Sequence, residues 1–205
     1  MDFPFDTIGL DATAIESFHE TFKALKAKFR IELTGHIDFH LENFELFKHY
    51  DDVIVRDSYV IKQGSSDCYI LFLEVTYRVD GGRVGCHYRR EYHTLALAYL
   101  KKDFGRVMIR PETLTDKLLE LIHPIELDFA EDKAFSDTFY VLVNDHQKAV
   151  NAIDRNFRNA VMDVREKDLV IEVVNHTLII GNCKTIVPED AINLAEFVVR
   201  VCSSC

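Results

Sequence analysis

His36-Ile-Asp-Phe-His40 is the segment whose residue types come nearest to chemistry. Imidazole nitrogens and carboxylate oxygens are ligands for zinc and similar ions. On a strand successive side chains alternate, so His36, Asp38 and His40 would share one face and Ile37, Phe39 and Leu41 the other. The spacing fits either a three-ligand metal site or the solvated face of a half-buried strand. A second candidate runs from Arg83 to His93, where His87, Arg89, Arg90 and His93 stand among Tyr88 and Tyr92. Aromatics between cations can stack bases or clamp phosphates. The plainer reading is a cross-strand charged sheet face. Cys202-Ser-Ser-Cys205 is a third. A redox CxxC works at a helix start, where the dipole lowers the thiol pKa, whereas this one trails a helix. Ser-Ser also lacks the aliphatic character of a prenylation box. A buried Cys202 and an exposed, frayed Cys205 are expected instead. Glu126, Asp128, Glu131 and Asp132 are read as a solvated acidic segment, since Lys133 follows and no partner acid is placed for acid/base work.

These residues need elements to position them, and the clearest is a hairpin over Asp67–Leu100. Cys68–Val75 is rich in β-branched and aromatic residues, and Asp80-Gly81-Gly82 supplies a turn. Gly81, Gly82 and Gly85 lack the Walker spacing of a phosphate loop. A two-residue Gly81-Gly82 loop would set Asp80 across from Arg83, Val75 across from Tyr88 and Glu74 across from Arg89. Tyr69, Leu71, Leu73, Val75 and Tyr77 would then face Tyr88, Tyr92 and Thr94. That register points Arg90 to the apolar side, where it needs a carboxylate. A one-residue slip would reverse the faces.

Upstream, Asp11 caps a helix in which Ile15, Phe18, Phe22, Leu25 and Phe29 form one stripe. The stripe packs on the protein's own sheet or, at coiled-coil spacing, docks a partner or second copy. His36–Leu41, Phe44–Phe47 and Val53–Ile61 read as strands, and Gln63-Gly64-Ser65-Ser66 as a turn. Downstream, Arg106–Ile109 is a short strand, and Pro111 opens a helix over Leu114, Leu118 and Ile122. Ile125–Phe129 is extended and Phe139–Val143 a strand. Asn144 or Asp145 caps one helix carrying Ala149, Ile153, Phe157 and Ala160, and Val164–Lys167 leaves it. Leu169–Val174 and Thr177–Ile180 make a second hairpin around Asn175-His176. Pro188 starts a last helix with Ile192, Ala195 and Val199 inward. The expected fold is α+β: a largely antiparallel sheet, an N-terminal amphipathic helix and a C-terminal β-α-β-β-α block. Residues 1–205 are read as a single domain, with 1–110 and 111–205 as candidate lobes.

The formal net charge of −10 argues against broad binding to nucleic acid or anionic membranes. No apolar run approaches the roughly 20 residues of a membrane span, and no signal peptide is seen. Five cysteines without framework spacing fit a reducing, cytoplasmic compartment. Serine-hydrolase elbow, HExxH and Rossmann fingerprints are absent. No catalytic or binding residue, metal or cofactor is assigned.

From Ile125 onward the sequence resembles an uncharacterised bacterial domain family. The resemblance rests on Ile125-Glu126, Phe135, Phe139, Val141, Asp145, Ala149, Ile153 and Phe157, on the Leu169–Ile180 hairpin, and on the Arg/Tyr/Thr-rich return strand upstream. It covers roughly residues 65–181 and is a packing pattern. Members often carry this domain on the cytoplasmic side of one or two N-terminal membrane helices. Here ten residues precede the first helix, which implies a soluble member or a trimmed piece. The resemblance implies no activity. The sequence therefore suggests an interaction or regulatory domain with a protein partner or a homo-oligomeric state. The alternative is a small-molecule or metal-binding protein, or an enzyme, using His36, Asp38 and His40 or the Arg89/Arg90 patch.

Overall fold

The structure is a computed structural model and describes residues 3–62, 67–82, 85–111, 125–164, 169–182, 184, 185 and 187–204. The Gln63–Ser66 turn, the helix over Leu114, Leu118 and Ile122, most of Val164–Lys167, Arg83 and Cys205 lie outside them. In chain order the elements are α1 (Ala12–Lys28), β1 (Ile31–Leu33), β2 (Asp52–Ile61), β3 (Cys68–Asp80), β4 (Cys86–Tyr99) and β5 (Arg106–Pro111). They continue with β6 (Ile125–Glu126), α2 (Lys133–Ser136), β7 (Phe139–Val143), α3 (His146–Ala152), α4 (Arg155–Met162), β8 (Val170–Val174), β9 (Thr177–Gly181) and α5 (Pro188–Ser204). The strands form one nine-stranded sheet in the order β1-β2-β3-β4-β9-β8-β5-β7-β6. Every ladder is antiparallel, so the class is α+β with a sheet-dominated core. Among the described residues no helix is long and apolar enough to cross a membrane.

The β3–β4 hairpin has a different register from the one a two-residue loop would impose. Asp80 pairs with Cys86, Val75 with Glu91 and Glu74 with Tyr92, a shift of three residues. The turn is spread over all three glycines. Gly82 and Gly85 take left-handed backbone, with φ of 61° and 90°. Gly81 N–H donates to Gly85 O at 3.1 Å, and Asp80 Oδ1 accepts from Gly82 N–H at 2.9 Å. An odd shift reverses every face of the return strand. Leu95 and Leu97 therefore lie opposite Leu71 and Tyr69, while Ala96 and Ala98 sit on the other face with Ile70 and Cys68.

Those two faces have different covers. Cys68, Ile70, Phe72, Ala96, Ala98, Val107, Ile109, Ile171 and Ile180 look toward the helices. Phe18, Leu25 and Phe29 of the α1 stripe are buried there, and Phe18 stacks on Phe72 with ring centroids 4.9 Å apart. The stripe is thus the protein's own core, not a docking seam. In α5 the most buried positions are Ala191, Leu194, Ala195 and Val198, with Ile192 and Val199 only half-buried. The single helix expected after Asp145 is two. Asp145 caps α3, the chain breaks at Ile153, and Asp154 accepts from Phe157 N–H to cap α4. A fresh N-cap is what lets a second helix start so soon.

The opposite face, with Leu71, Leu73, Leu95, Leu97, Met108 and Ile179, is covered by residues 37–50. The strands expected over His36–Leu41 and Phe44–Phe47 do not form. Gly35 and His40 adopt left-handed φ of 74° and 51°, and two 3-10 turns follow at Leu41–Asn43 and Glu45–Phe47. Phe39, Leu41, Phe44, Leu46 and Phe47 are nevertheless buried. The alternation is satisfied by a folded cap, not a strand.

Candidate functional site

Several polar clusters and a groove lie on this frame. Two of the clusters begin with acids placed inside apolar strands. Glu172 of β8 is fully buried beneath the cap. Its Oε1 accepts from Glu45 N–H at 2.9 Å and its Oε2 from Leu46 N–H at 3.0 Å, with the Arg106 guanidinium 3.4 Å away. Arg106 also donates to Asn43 O at 2.9 Å. The carboxylate thereby holds the start of the second 3-10 turn onto the sheet. Burial pushes the Glu172 carboxyl up, and the two backbone donors and Arg106 offset part of that.

Glu74 is its counterpart on the helix side. Arg56 Nε donates to it at 2.7 Å and Arg90 Nε at 2.8 Å. Arg90 so meets a carboxylate on the face away from Leu73. Arg56 also reaches Ile8 O and Arg90 reaches Gly9 O, so the acid ties the N-terminal segment to the hairpin. Arg89 pairs with Glu91 at 3.0 Å. Tyr88, Arg89, Arg90 and Tyr92 do surround a depression of about 360 Å³, but each arginine already faces an acid and Asp11 lines the same hollow. His87 and His93 are not part of it. A clamp for an anion needs cations with charge to spare, and these have little.

His93 belongs instead to a cluster on the cap face. Its Nε2 is 3.4 Å from Glu91 Oε2, and Tyr77 donates its hydroxyl to Glu91 Oε1 at 2.8 Å. Tyr50 approaches both rings, and His49 stacks against Tyr50 at 3.8 Å. Burial holds the His93 imidazole below its ordinary pKa, with Glu91 opposing. His49 is lowered by burial and by His93. A neutral imidazole beside a carboxylate has the makings of a general base. Among the described residues, His93, Glu91 and Tyr77 line none of the four surface depressions, while their neighbour Tyr50 lines the groove beside β2.

Of the proposed ligand set, the turn at His40 brings Asp38 and His40 together, adds Glu42 and leaves His36 out. The three ligand atoms lie within 4.8 Å of one another, and all three residues are exposed. His40 Nδ1 is 3.4 Å from both Asp38 Oδ2 and Glu42 Oε1, so the imidazole lies between the two acids. The acidic segment is likewise internal in part: Arg158 takes Asp132 at 2.8 Å and Glu131 at 3.3 Å while lying over the Phe129 ring. Cys202 is buried and its sulfur is 2.7 Å from that of Cys68 on β3, which pushes the Cys68 thiol up.

The groove lies between the cap and β2 and measures about 430 Å³. Ile37, Phe39, Leu41, Phe47, Val53 and Val55 make its apolar walls, and Asp38, Glu42, Asp51 and Asp52 stand around its rim with Lys48 and Tyr50. Sequence reasoning missed it because its two walls are drawn from separate segments. Glu74, expected across from Arg89, is held by Arg56 and Arg90 instead, and Glu172 was missed although its signal was there: one acid within an otherwise apolar strand.

No protein-family model and no curated protein matches the chain. Among solved structures, it is similar to the crystal structure of the mycobacterial trehalose monomycolate transport factor A, TtfA. The TM-score is 0.55 at 10% identity, over 90% of each chain. At that identity the likeness is one of fold.

Proposed function

We propose that the chain is a non-catalytic interaction or regulatory domain of the bacterial cytoplasm that binds a protein partner. The observation that carries this reading is the contrast between closed polar clusters and an open groove. Glu74, Glu172 and Arg158 are each answered from within the fold, and His93 lies beside Glu91. The groove beside β2 keeps partly exposed apolar walls, with Ile37 38% exposed. The resemblance to a bacterial domain family often tethered beside membranes supports the same reading. So does a fold neighbour that is by name a transport factor.

The test is the mass of the endogenous chain in clarified extract of its own host, against the purified chain. The expected result is a larger species from the host. A stoichiometric companion, purified separately, should then rebuild that species with the purified chain. An endogenous chain that runs as a lone monomer, or a companion that cannot rebuild the complex, would overturn the reading. The second reading, a metal- or metabolite-binding protein, draws on the convergence of Asp38, His40 and Glu42. Stoichiometric metal in protein purified without chelator would favour it. So would a thermal shift with an anionic metabolite, which at 100 times its dissociation constant amounts to about 2.7 kcal/mol.

A further inference from the structure

The outer side of β2 is only partly paired. β1 covers Tyr59–Ile61, and Thr34 N–H adds a bond to Ser58 O at 3.0 Å. From Asp52 to Val55, before the bulge at Val55/Asp57, no described strand pairs with that side. An unpaired edge is a row of main-chain donors and acceptors and a template for another strand. Val53 and Val55 point from this edge into the groove, whose far wall carries Ile37. Around it stand Asp38, Glu42, Asp51 and Asp52. Among the described residues Asp51 and Asp52 make no ion pair, and Lys48, the one cation lining the groove, is tied to Glu45.

We infer that the β2 edge at Asp52–Val55 takes an extended segment of a protein partner in which apolar residues alternate with lysine or arginine. The inference rests on the interaction reading above and names its site and the partner's chemistry. Main-chain bonds to the edge hold the segment, and alternate side chains are sorted by their surroundings, the division of labour seen in strand addition. Apolar residues enter the groove over Val53 and Val55; basic residues meet the rim acids. Four edge residues span about 13 Å, and about 430 Å³ is within the range of ligand pockets. The chain's net charge of −10 draws a basic segment in at long range and repels an acidic one.

The test uses the full chain and three labelled peptides: alternating valine and lysine, alternating valine and glutamate, and the lysine peptide with N-methylated backbone. The expected result is binding of the first alone, weakening as salt rises. Amide NMR shifts should centre on Asp52–Val55 and Ile37. Asp51→Lys with Asp52→Lys, both at exposed positions, should weaken binding at least about tenfold while leaving the melting temperature in place. Ile37→Asp should do the same from the apolar side. Equal binding of the lysine and glutamate peptides would overturn the inference. So would undiminished binding of the N-methylated form, shifts centred elsewhere, or indifference to both variants. The peptide comparison needs no variant to fold. A host companion that rebuilds its complex equally well with these variants would leave the interaction reading standing and remove the edge assignment. Failure to rebuild any complex would remove both.

Discussion

The two faces of the sheet are buried to a similar degree by different means. On one, α1 and α5 lay regular apolar stripes over Phe72, Ala96 and Ala98. On the other, an irregular cap does the same over Leu71, Leu73 and Leu97, and its turns are held by Glu172 from a strand 126 residues away. A helix satisfies its own backbone and needs only an apolar partner. A cap made of turns leaves backbone N–H groups open, so a buried carboxylate takes the place that regular hydrogen bonding has elsewhere. The difference teaches that the helical covers hold their own backbone, whereas the cap depends on a buried acid to hold its turns.

The largest effect is expected from Phe18→Ala, which removes a fully buried ring from the helical face and should cost about 3–5 kcal/mol in denaturant unfolding. A loss below about 1 kcal/mol would mean that α1 is not core. Glu172→Ala leaves the Glu45 and Leu46 amides unanswered and should cost about 2–3 kcal/mol. Hydrogen exchange should quicken at those two amides while α1 stays protected; uniform quickening would break the contrast between the faces. Gly181→Ala tests the seam where β9 meets β4. A Cβ there would lie 1.7 Å from Leu95 Cδ2, and the overpacking should cost about 1–3 kcal/mol.

The pH dependence sharpens the comparison further. Burial raises the folded-state pKa of Glu172 above its ordinary value, so the folded protein holds this proton more tightly than the unfolded chain. The resulting stability is full below the unfolded carboxyl pKa and is lost as pH rises through the folded one. Across that window the wild type should lose stability relative to Glu172→Gln. Parallel curves would show that the cap does not depend on this proton. The smallest effect has the opposite sign. The Thr21 hydroxyl is buried on the helical face without a hydrogen-bond partner among the described residues, so Thr21→Val should stabilise by about 1 kcal/mol.

What was readable in the sequence is what depends on neighbours along the chain. The spacing of Phe18, Leu25 and Phe29 marks their buried face, and Asn175, with φ of 57°, marks the tight turn between β8 and β9. The hairpin register failed because the turn was closed at Gly81-Gly82, whereas it runs on to Gly85, and the three added residues move every pair. The break before α4 was within reach, since Asp154 stands three residues ahead of Phe157 as an N-cap does. The cap misled because Ile37, Phe39 and Leu41 alternate as a strand would, while His40 turns the backbone between them. Nothing local in Asp51-Asp52-Val53 reveals that Ile37 will stand opposite. The groove exists only once both segments reach the same sheet.

The strand order carries a consequence for synthesis. β5, at residues Arg106–Pro111, sits between β7 and β8, both of which leave the ribosome after it. β4 waits longer still for β9. Until β9 has emerged, a nascent molecule carries β1, β2, β3 and β4 with the margin of β4 that β9 will fill still bare. In that interval it is open to mispairing with a sister chain, and a holdase or a slow stretch of translation between β4 and β9 would matter most there.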